Sequence, residues 1–337
     1  MKRRLQVRSA LSILLFFFPI HFIFIKLKNL FYDNSLLSSA KINSTVISVG
    51  NISLGGSGKT PFTISLSNFL YKKGFSVGIV TRGYGRKDGS DNFLLDNHSW
   101  TECGDEALVI KNNISPSIPV YISKNKIYAA KELSKMGCDI IVLDDAFQHR
   151  KIFRDIDIVL LSPDELIHKN KKTFPYGLLR EPFYNINRAD LIVATKSNLY
   201  NEKNSAKYVL SLQTNFKDEL LCSIKNSKIN IKGMSKMDGL LSICGIGKPK
   251  SFHNSLKSLN IKPLQSLTYP DHHNFSKEDI DVLASKIKKH NIKAIVCTEK
   301  DWVKLISFKD EIVVPIYAIR LSYSLNRDIE EAILRLL

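Results

Sequence analysis

Residues 50–63 read GNISLGGSGKTPFT and hold the densest glycine cluster of the chain. Directly before them stands TVISVG (45–50), a β-branched run with the composition of a buried strand. Directly after the glycines, TPFTISLSNFLYKKG places Phe62, Leu66, Phe69 and Leu70 on one helical face, with Gly74 as its stop. Pro61 falls in the first turn, where a missing N–H costs little. A strand, a glycine-rich turn and a helix opening on Gly58-Lys59-Thr60 aim backbone N–H groups at one point, an arrangement suited to a polyphosphate. The expected cradle is Leu54, Gly55, Gly56, Ser57, Gly58, Lys59 and Thr60. Lys59 would reach the β- and γ-phosphates and Thr60 would ligate Mg²⁺. The strict G-x-x-x-x-G-K-[ST] spacing asks for glycine at 53, where this chain has Ser53. The bland alternative is a turn that happens to end in Lys-Thr.

Working outward, FSVGIVT (75–81), CDIIVLDD (138–145), DIDIVLLS (155–162) and ADLIVAT (189–195) are further continuous apolar runs between helical patterns. Such runs indicate a parallel sheet covered on both faces. A phosphate-binding loop needs a carboxylate at the end of a neighbouring strand to hold the metal, and Asp144 and Asp145 stand there. Their alternative role is to cap a strand-to-helix turn.

Beyond residue 203 the pattern changes. KYVLSLQ and ELLCSIKNSKINIKG read as a hairpin or meander. After them GLLSICGIG, KAIVCTEKD and EIVVPIYAI resume strands between helices. Ser276 to His290 is a helix with a Ser276/Asp279 capping box and an apolar face of Ile280, Leu283, Ala284 and Ile287. The expected organisation is an N-terminal membrane-associated helix (1–30), an α/β P-loop NTPase-like core with a mostly parallel sheet and helices on both faces (31–203), a β-rich linker (204–235) and a smaller α/β domain (236–337).

The chain has 337 residues, 44% of them hydrophobic, and a formal net charge of +17. It is long enough for two cored domains, and its partners should be negatively charged: nucleic acid, an anionic membrane surface or a phosphorylated substrate. The lysines are dispersed and no nucleic-acid module is visible, so nucleic acid is not expected. The five scattered cysteines form no C-x-x-C pair, which fits a reducing compartment without a zinc site. The first 30 residues carry six Lys/Arg and no acid, and residues 10–25 are nearly all apolar. A full span needs about 20 apolar residues, and this run is shorter, with Pro19 and His21 inside it. It reads as an interfacial or shallowly inserted helix on the cytoplasmic face. A true span, a buried core helix and a signal peptide are the rival readings. The only small-residue cleavage candidate, Ser38-Ser39-Ala40, lies far from the apolar run.

Eight segments in order, VGNISLGGSGKTP (49–61), TRGYGRK (81–87), GDEALVI (104–110), VLDDAFQHR (142–150), YGLLREP (176–182), CGIGKP (244–249), YPDHHNF (269–275) and TEKDWVKL (298–305), resemble the tetraacyldisaccharide 4′-kinase family. Ala107 and Ala146 depart from it, standing where the family usually has proline and glycine. The resemblance implies an enzyme that uses ATP and Mg²⁺ to phosphorylate the 4′-hydroxyl of an acylated glucosamine disaccharide 1-phosphate. Its partners would be that lipid and the membrane surface holding it, at the cytoplasmic face of an inner membrane, with no obligate protein partner evident. It also implies Asp105 as catalytic base and His272 as its orienting partner, beside Lys59. The residue-level alternatives are an N-cap role for Asp105, and Asp271 or His273 in place of His272. Gln148 and His149 would point at the metal or the phosphates, and Arg82, Tyr84 and Arg180 at substrate. Glu181 would reach the metal or its water, and Glu299 and Lys300 would face the nucleotide.

Overall fold

The computed structural model describes residues 22–86, 92–93, 98–162, 165, 172–174, 176–196, 209–224 and 229–337. Most of the apolar run at 10–25, and Lys87, therefore lie outside the described residues.

The glycine loop's strand, β1 (Thr45–Gly50), is central. Around it lie β2 (Val77–Thr81), β3 (Asn92–Phe93), β4 (Val120–Ile122), β5 (Ile140–Asp144), β6 (Ile156–Leu161), β7 (Leu191–Ala194) and β8 (Leu210–Ser211). The order is β3-β4-β2-β5-β1-β6-β7-β8, parallel except for β3 at the edge. Every residue of β2, β5 and β6 is buried, as a sheet covered on both faces requires. Neither β3 nor β4 gave a periodic signal, because two and three residues are too short a run to show one.

Helices cover both faces. In chain order they begin with α1 (22–33), α2 (Lys59–Lys72), α3 (Trp100–Cys103), α4 (Asp105–Lys111) and α5 (Lys126–Lys135). Phe62, Leu66 and Leu70 of α2 join Ala107 and Ile110 of α4 in one core, and Ala129, Ala130 and Leu133 of α5 build the other. The mostly parallel sheet with flanking helices is the architecture the sequence pattern indicated.

A second sheet is built from β10 (Leu221–Cys222), β11 (Leu240–Cys244), β12 (Gln265–Thr268), β13 (Ala294–Thr298) and β14 (Ile316–Ile319), in the order β10-β14-β13-β11-β12. Helices α6 (Ile231–Ser235), α7 (Pro249–Ser258), α8 (Lys277–Lys289) and α9 (Glu299–Leu305) accompany it. The α8 capping box forms as read, and Ile280, Leu283 and Ile287 are buried, but Ala284 is exposed.

The local hairpin expected after residue 203 is corrected. Among the described residues its only self-closure is the bridge between Glu219 and Asn230. Its strands pair with distant partners instead. β8 extends the first sheet beside β7, β9 (Thr214–Phe216) pairs with β15 (Leu321–Tyr323), and β10 pairs with β14. The chain end also returns: Tyr323 and the buried Ile329 and Ile333 of α10 (Arg327–Leu336) complete the core beneath α2.

Helix α1 has its polarity inverted for a protein-docked helix. Asn29 is buried and Lys28 half-buried, whereas Ile23, Phe24, Leu27, Leu30 and Phe31 are exposed. Among the described residues no helix is long and apolar enough to cross a membrane.

Candidate active site

The register Val49↔Asp144 places the C-terminal ends of β1 and β5 side by side, so the glycine loop and the acidic pair emerge together. Ligands in doubly wound sheets sit at such carboxyl ends. Gly50 is required by close approach, since a Cβ there would lie 2.5 Å from that of Phe147. Gly58 caps α2 in the left-handed region (φ 84) with no side-chain cap, leaving first-turn N–H groups for an anion. Among the described residues the buried Ser57 hydroxyl has no hydrogen-bond partner. Leu54 is exposed, its N–H donating to Leu178 O (2.6 Å). Ser53, in the place of the motif's first glycine, is buried, and its hydroxyl bonds the Glu165 carboxylate. Its side chain is thus accommodated beside the loop.

Thr60 is buried behind Lys59, whose Nζ lies 3.6 Å from Asp145 Oδ1. Asp144 accepts from Thr63 Oγ1 (3.3 Å) and Thr81 Oγ1 (3.5 Å). Burial, with Glu106 nearby, pushes its carboxyl up to about 6. Burial would also raise Asp145, but Lys59, Arg180 and Lys126 outweigh it and hold that carboxyl at about 2. Lys126 of α5, overlooked in the sequence, is buried, and its Nζ bonds the carbonyls of Asp144 and Asp145. Among the described residues no three His, Cys, Asp or Glu converge on a metal site. A cation here would take one or two protein oxygens and fill its shell with phosphate and water, which suits Mg²⁺.

Arg180 is held by protein: its NH1 lies 2.8 and 3.0 Å from the Asp145 oxygens and 3.4 Å from Gln148 Oε1. Gln148 Nε2 donates to Asn51 O (2.8 Å) and Glu181 Oε1 (2.9 Å). Glu181, expected at the metal, is instead buried among donors from Gln148, Asn29, Asn185 and Arg188. Burial and the nearby Lys126 and Lys28 push the His149 imidazole down to about 4, so it is neutral near pH 7. Arg82 is exposed at the end of β2, close enough to Lys126 to lower its pKa further.

Asp105 and His272 meet across the two sheets. His272 Nδ1 lies 3.0 and 3.1 Å from the two carboxylate oxygens, and the Tyr84 ring stands against the imidazole at 4.6 Å. Asp105 is the first residue of α4 and Gly104 is its N-cap, so Asp105 is not the cap. His273 turns away to Asp279 (2.8 Å), and Asp271 lies 3.7 Å from His272 Nε2. Burial opposes ionisation of Asp105, but the His272 hydrogen bond, Lys300 and Lys304 hold its carboxyl at about 2. The same contact raises His272 against the effect of its own burial. Lys304 of α9 is fully buried 3.4 Å from Asp105 and 3.8 Å from Asp301. Lys300 pairs with Glu106, and Glu299 with Asn113 (2.7 Å) and Arg320 (3.5 Å).

The second sheet also covers the loop. A Cβ on Gly247 would lie 3.4 Å from the Gly55 Cα, and Lys248 reaches Ser162 (3.0 Å) and Glu165 (3.1 Å). Lys196 Nζ donates to Gly56 O (3.1 Å) and Ser251 (2.9 Å). The motif CGIGKP carried the one sequence signal of this lid; Lys126 and Lys304 carried none, because a lone lysine gives no sign of burial. The chain thus brings together an anion cradle, a lysine and two carboxylates, and joins its two sheets through a His–Asp pair, a set that suits phosphoryl transfer to a hydroxyl.

Comparison with known proteins agrees with this chemistry. The family model for tetraacyldisaccharide-1-P 4′-kinase (LpxK) matches residues 10–337. The tetraacyldisaccharide 4′-kinase of Syntrophus aciditrophicus is 33% identical over 88% of this chain and 85% of its own length. That of Koribacter versatilis is 32% identical over 91% and 92%. A crystal structure of LpxK from Aquifex aeolicus in complex with ATP superimposes with a TM-score of 0.73 at 28% identity, covering 96% of this chain and 98% of that one. The chain belongs to the tetraacyldisaccharide-1-P 4′-kinase family.

Proposed function

We propose that this chain transfers the γ-phosphoryl group of ATP to the 4′-hydroxyl of an acylated glucosamine disaccharide 1-phosphate, with Asp105 receiving the hydroxyl proton. The observation that carries the reading is the contact of buried Asp105, at the start of α4, with His272 of the second unit, whose neighbour Asp271 lies against Gly247 where Gly247 approaches Gly55 of the glycine loop. The loop amides, Lys59 and Thr60 hold the phosphates. Mg²⁺, held through Thr60 and the Asp144–Asp145 pair, would neutralise charge on the β- and γ-oxygens. As O4′ attacks phosphorus and the bond to ADP breaks, the hydroxyl proton passes to the Asp105–His272 pair. Asp105 stays ionised at neutral pH and so can receive the proton, and the His272 hydrogen bond holds the carboxylate in place. Arg180, exposed Arg82 and Tyr84 surround the acceptor side, with Gln148 and Glu181 fixing Arg180.

The exposed apolar face of α1 and the +17 charge fit a peripheral seat on an anionic bilayer, the cytoplasmic face of an inner membrane. The test is phosphate transfer from labelled ATP to acylated disaccharide 1-phosphate in detergent, wild type against Lys59→Ala. The variant should lose at least about a hundredfold in kcat, the scale of losing one donor to transition-state charge. Retention of more than about a tenth of the rate would sink the assignment.

A further inference from the structure

Helix α1 carries its polar residues inward. Asn29 is 8% exposed and stands among outward-facing apolar neighbours. A helix whose sole task were to lie on a bilayer would have no use for a buried carboxamide. Asn29 Nδ2 donates to Glu181 Oε2 (3.2 Å), while its backbone oxygen and Oδ1 lie 3.1 and 3.5 Å from Arg150 NH1. Lys28 Nζ donates to the Gln148 carbonyl (3.1 Å), and Arg150 pairs with Asp33 (2.7 Å). The helix is therefore fastened to residues 148–150 and to Glu181, the segments that hold Arg180.

From Asn29 the contacts run inward without a gap. Glu181 Oε1 accepts from Gln148 Nε2 (2.9 Å), Gln148 Oε1 faces Arg180 NH1 (3.4 Å), and Arg180 grips Asp145 at 2.8 Å. Asp145 in turn lies 3.6 Å from Lys59 Nζ. Each link is a donor meeting an acceptor, and Glu181 and Asn29 are both buried, so water does not readily replace a lost partner. The chemistry at position 29 is specific. A carboxamide offers N–H to Glu181 and oxygen to Arg150 together, whereas a carboxylate there would repel Glu181 and an alanine would remove one of the three donors to its Oε2, leaving Asn185 and Arg188, together with the side-chain oxygen facing Arg150.

The geometry points to Asn29 as a positioning residue for phosphoryl transfer, acting through Glu181, Gln148 and Arg180 to set Asp145 opposite Lys59. The N-terminal helix is then part of the catalytic framework as well as a membrane contact. This rests on the reading of the glycine loop and Asp145 as the phosphoryl-transfer site.

The experiment uses the full-length enzyme with detergent-dispersed acceptor at saturation, so that membrane docking does not limit the rate. Asn29→Ala should lower kcat by about three- to thirtyfold, the range of coupling through packed networks. KM for the acceptor should change little. Asn34→Ala, exposed one residue past the end of that helix with its carboxamide donating to Leu30 O, should leave kcat unchanged. A cycle with Gln148→Ala separates transmission from general loosening: the double variant should be hardly slower than the slower single one. Losses that multiply would overturn the relay, as would a wild-type kcat in Asn29→Ala. A defect confined to acceptor KM in vesicles and absent in detergent would reduce Asn29 to membrane docking and likewise overturn it. If Asn29→Ala unfolds, Asn29→Ser at a temperature where it melts as wild type repeats the comparison. Lys59→Ala run alongside reports on the underlying site: an inactive Lys59→Ala beside an unaffected Asn29→Ala rejects the relay alone.

Discussion

Replacing Asp105 with asparagine keeps the side chain's shape and removes its charge. Asp105 is 3% exposed, touches His272 Nδ1 at 3.0 Å and lies 3.4 Å from the fully buried Lys304. Its carboxyl is held near 2 instead of 3.8. A shift of that size is worth about 2 kcal/mol of folding stability. Because the folded pKa is depressed, that contribution is present above pH 3.8 and lost as pH falls through about 2. Asp105→Asn should therefore lower unfolding free energy by about 2 kcal/mol at pH 7. If Asp105 also takes the acceptor proton, kcat should fall by about 10²–10⁴ with the KM for ATP nearly unchanged. Urea unfolding and initial-rate kinetics on one preparation, well below its melting temperature, read both quantities. A variant that loses the stability but keeps kcat within about tenfold of wild type would make Asp105 a structural acid and refute its role as base.

The raised pKa of His272 gives a pH signature. Its contribution to stability is complete below the unfolded value of 6.5 and disappears as pH rises through the higher folded value. The urea midpoint difference between wild type and His272→Gln should thus be larger at pH 6 than at pH 9; an equal difference would show that the ion pair is not what His272 contributes. Deleting residues 1–21 leaves Lys28, Asn29 and the apolar face of α1 in place, so the protein should keep its kcat on detergent-dispersed acceptor while its sedimentation with anionic vesicles weakens to what α1 alone supports. Sedimentation equal to that of the full chain in high salt would show that residues 1–21 add nothing to the membrane contact.

The sequence by itself determined the elements that rest on short-range chemistry. TVISVG followed by glycines and Lys-Thr can hardly be anything but strand, loop and helix, because apolar periodicity and left-handed glycines act within a few residues. The strand ahead of Asp144 and the Ser276 capping box were legible for the same reason. Tertiary structure decided the partners. The strands at 210–222 carry enough β character to be recognised, but only packing selects β7, β15 and β14 over each other as their neighbours. Glu181 shows the same limit at the site. Its motif neighbours suggest a metal, yet its oxygens meet Asn29, 152 residues away, and Arg188. Lys126 and Lys304 are ordinary lysines in sequence and buried among acidic residues in the fold. A buried charge takes whichever counter-charge the backbone brings within reach, and that pairing is set by long-range packing that no local pattern encodes.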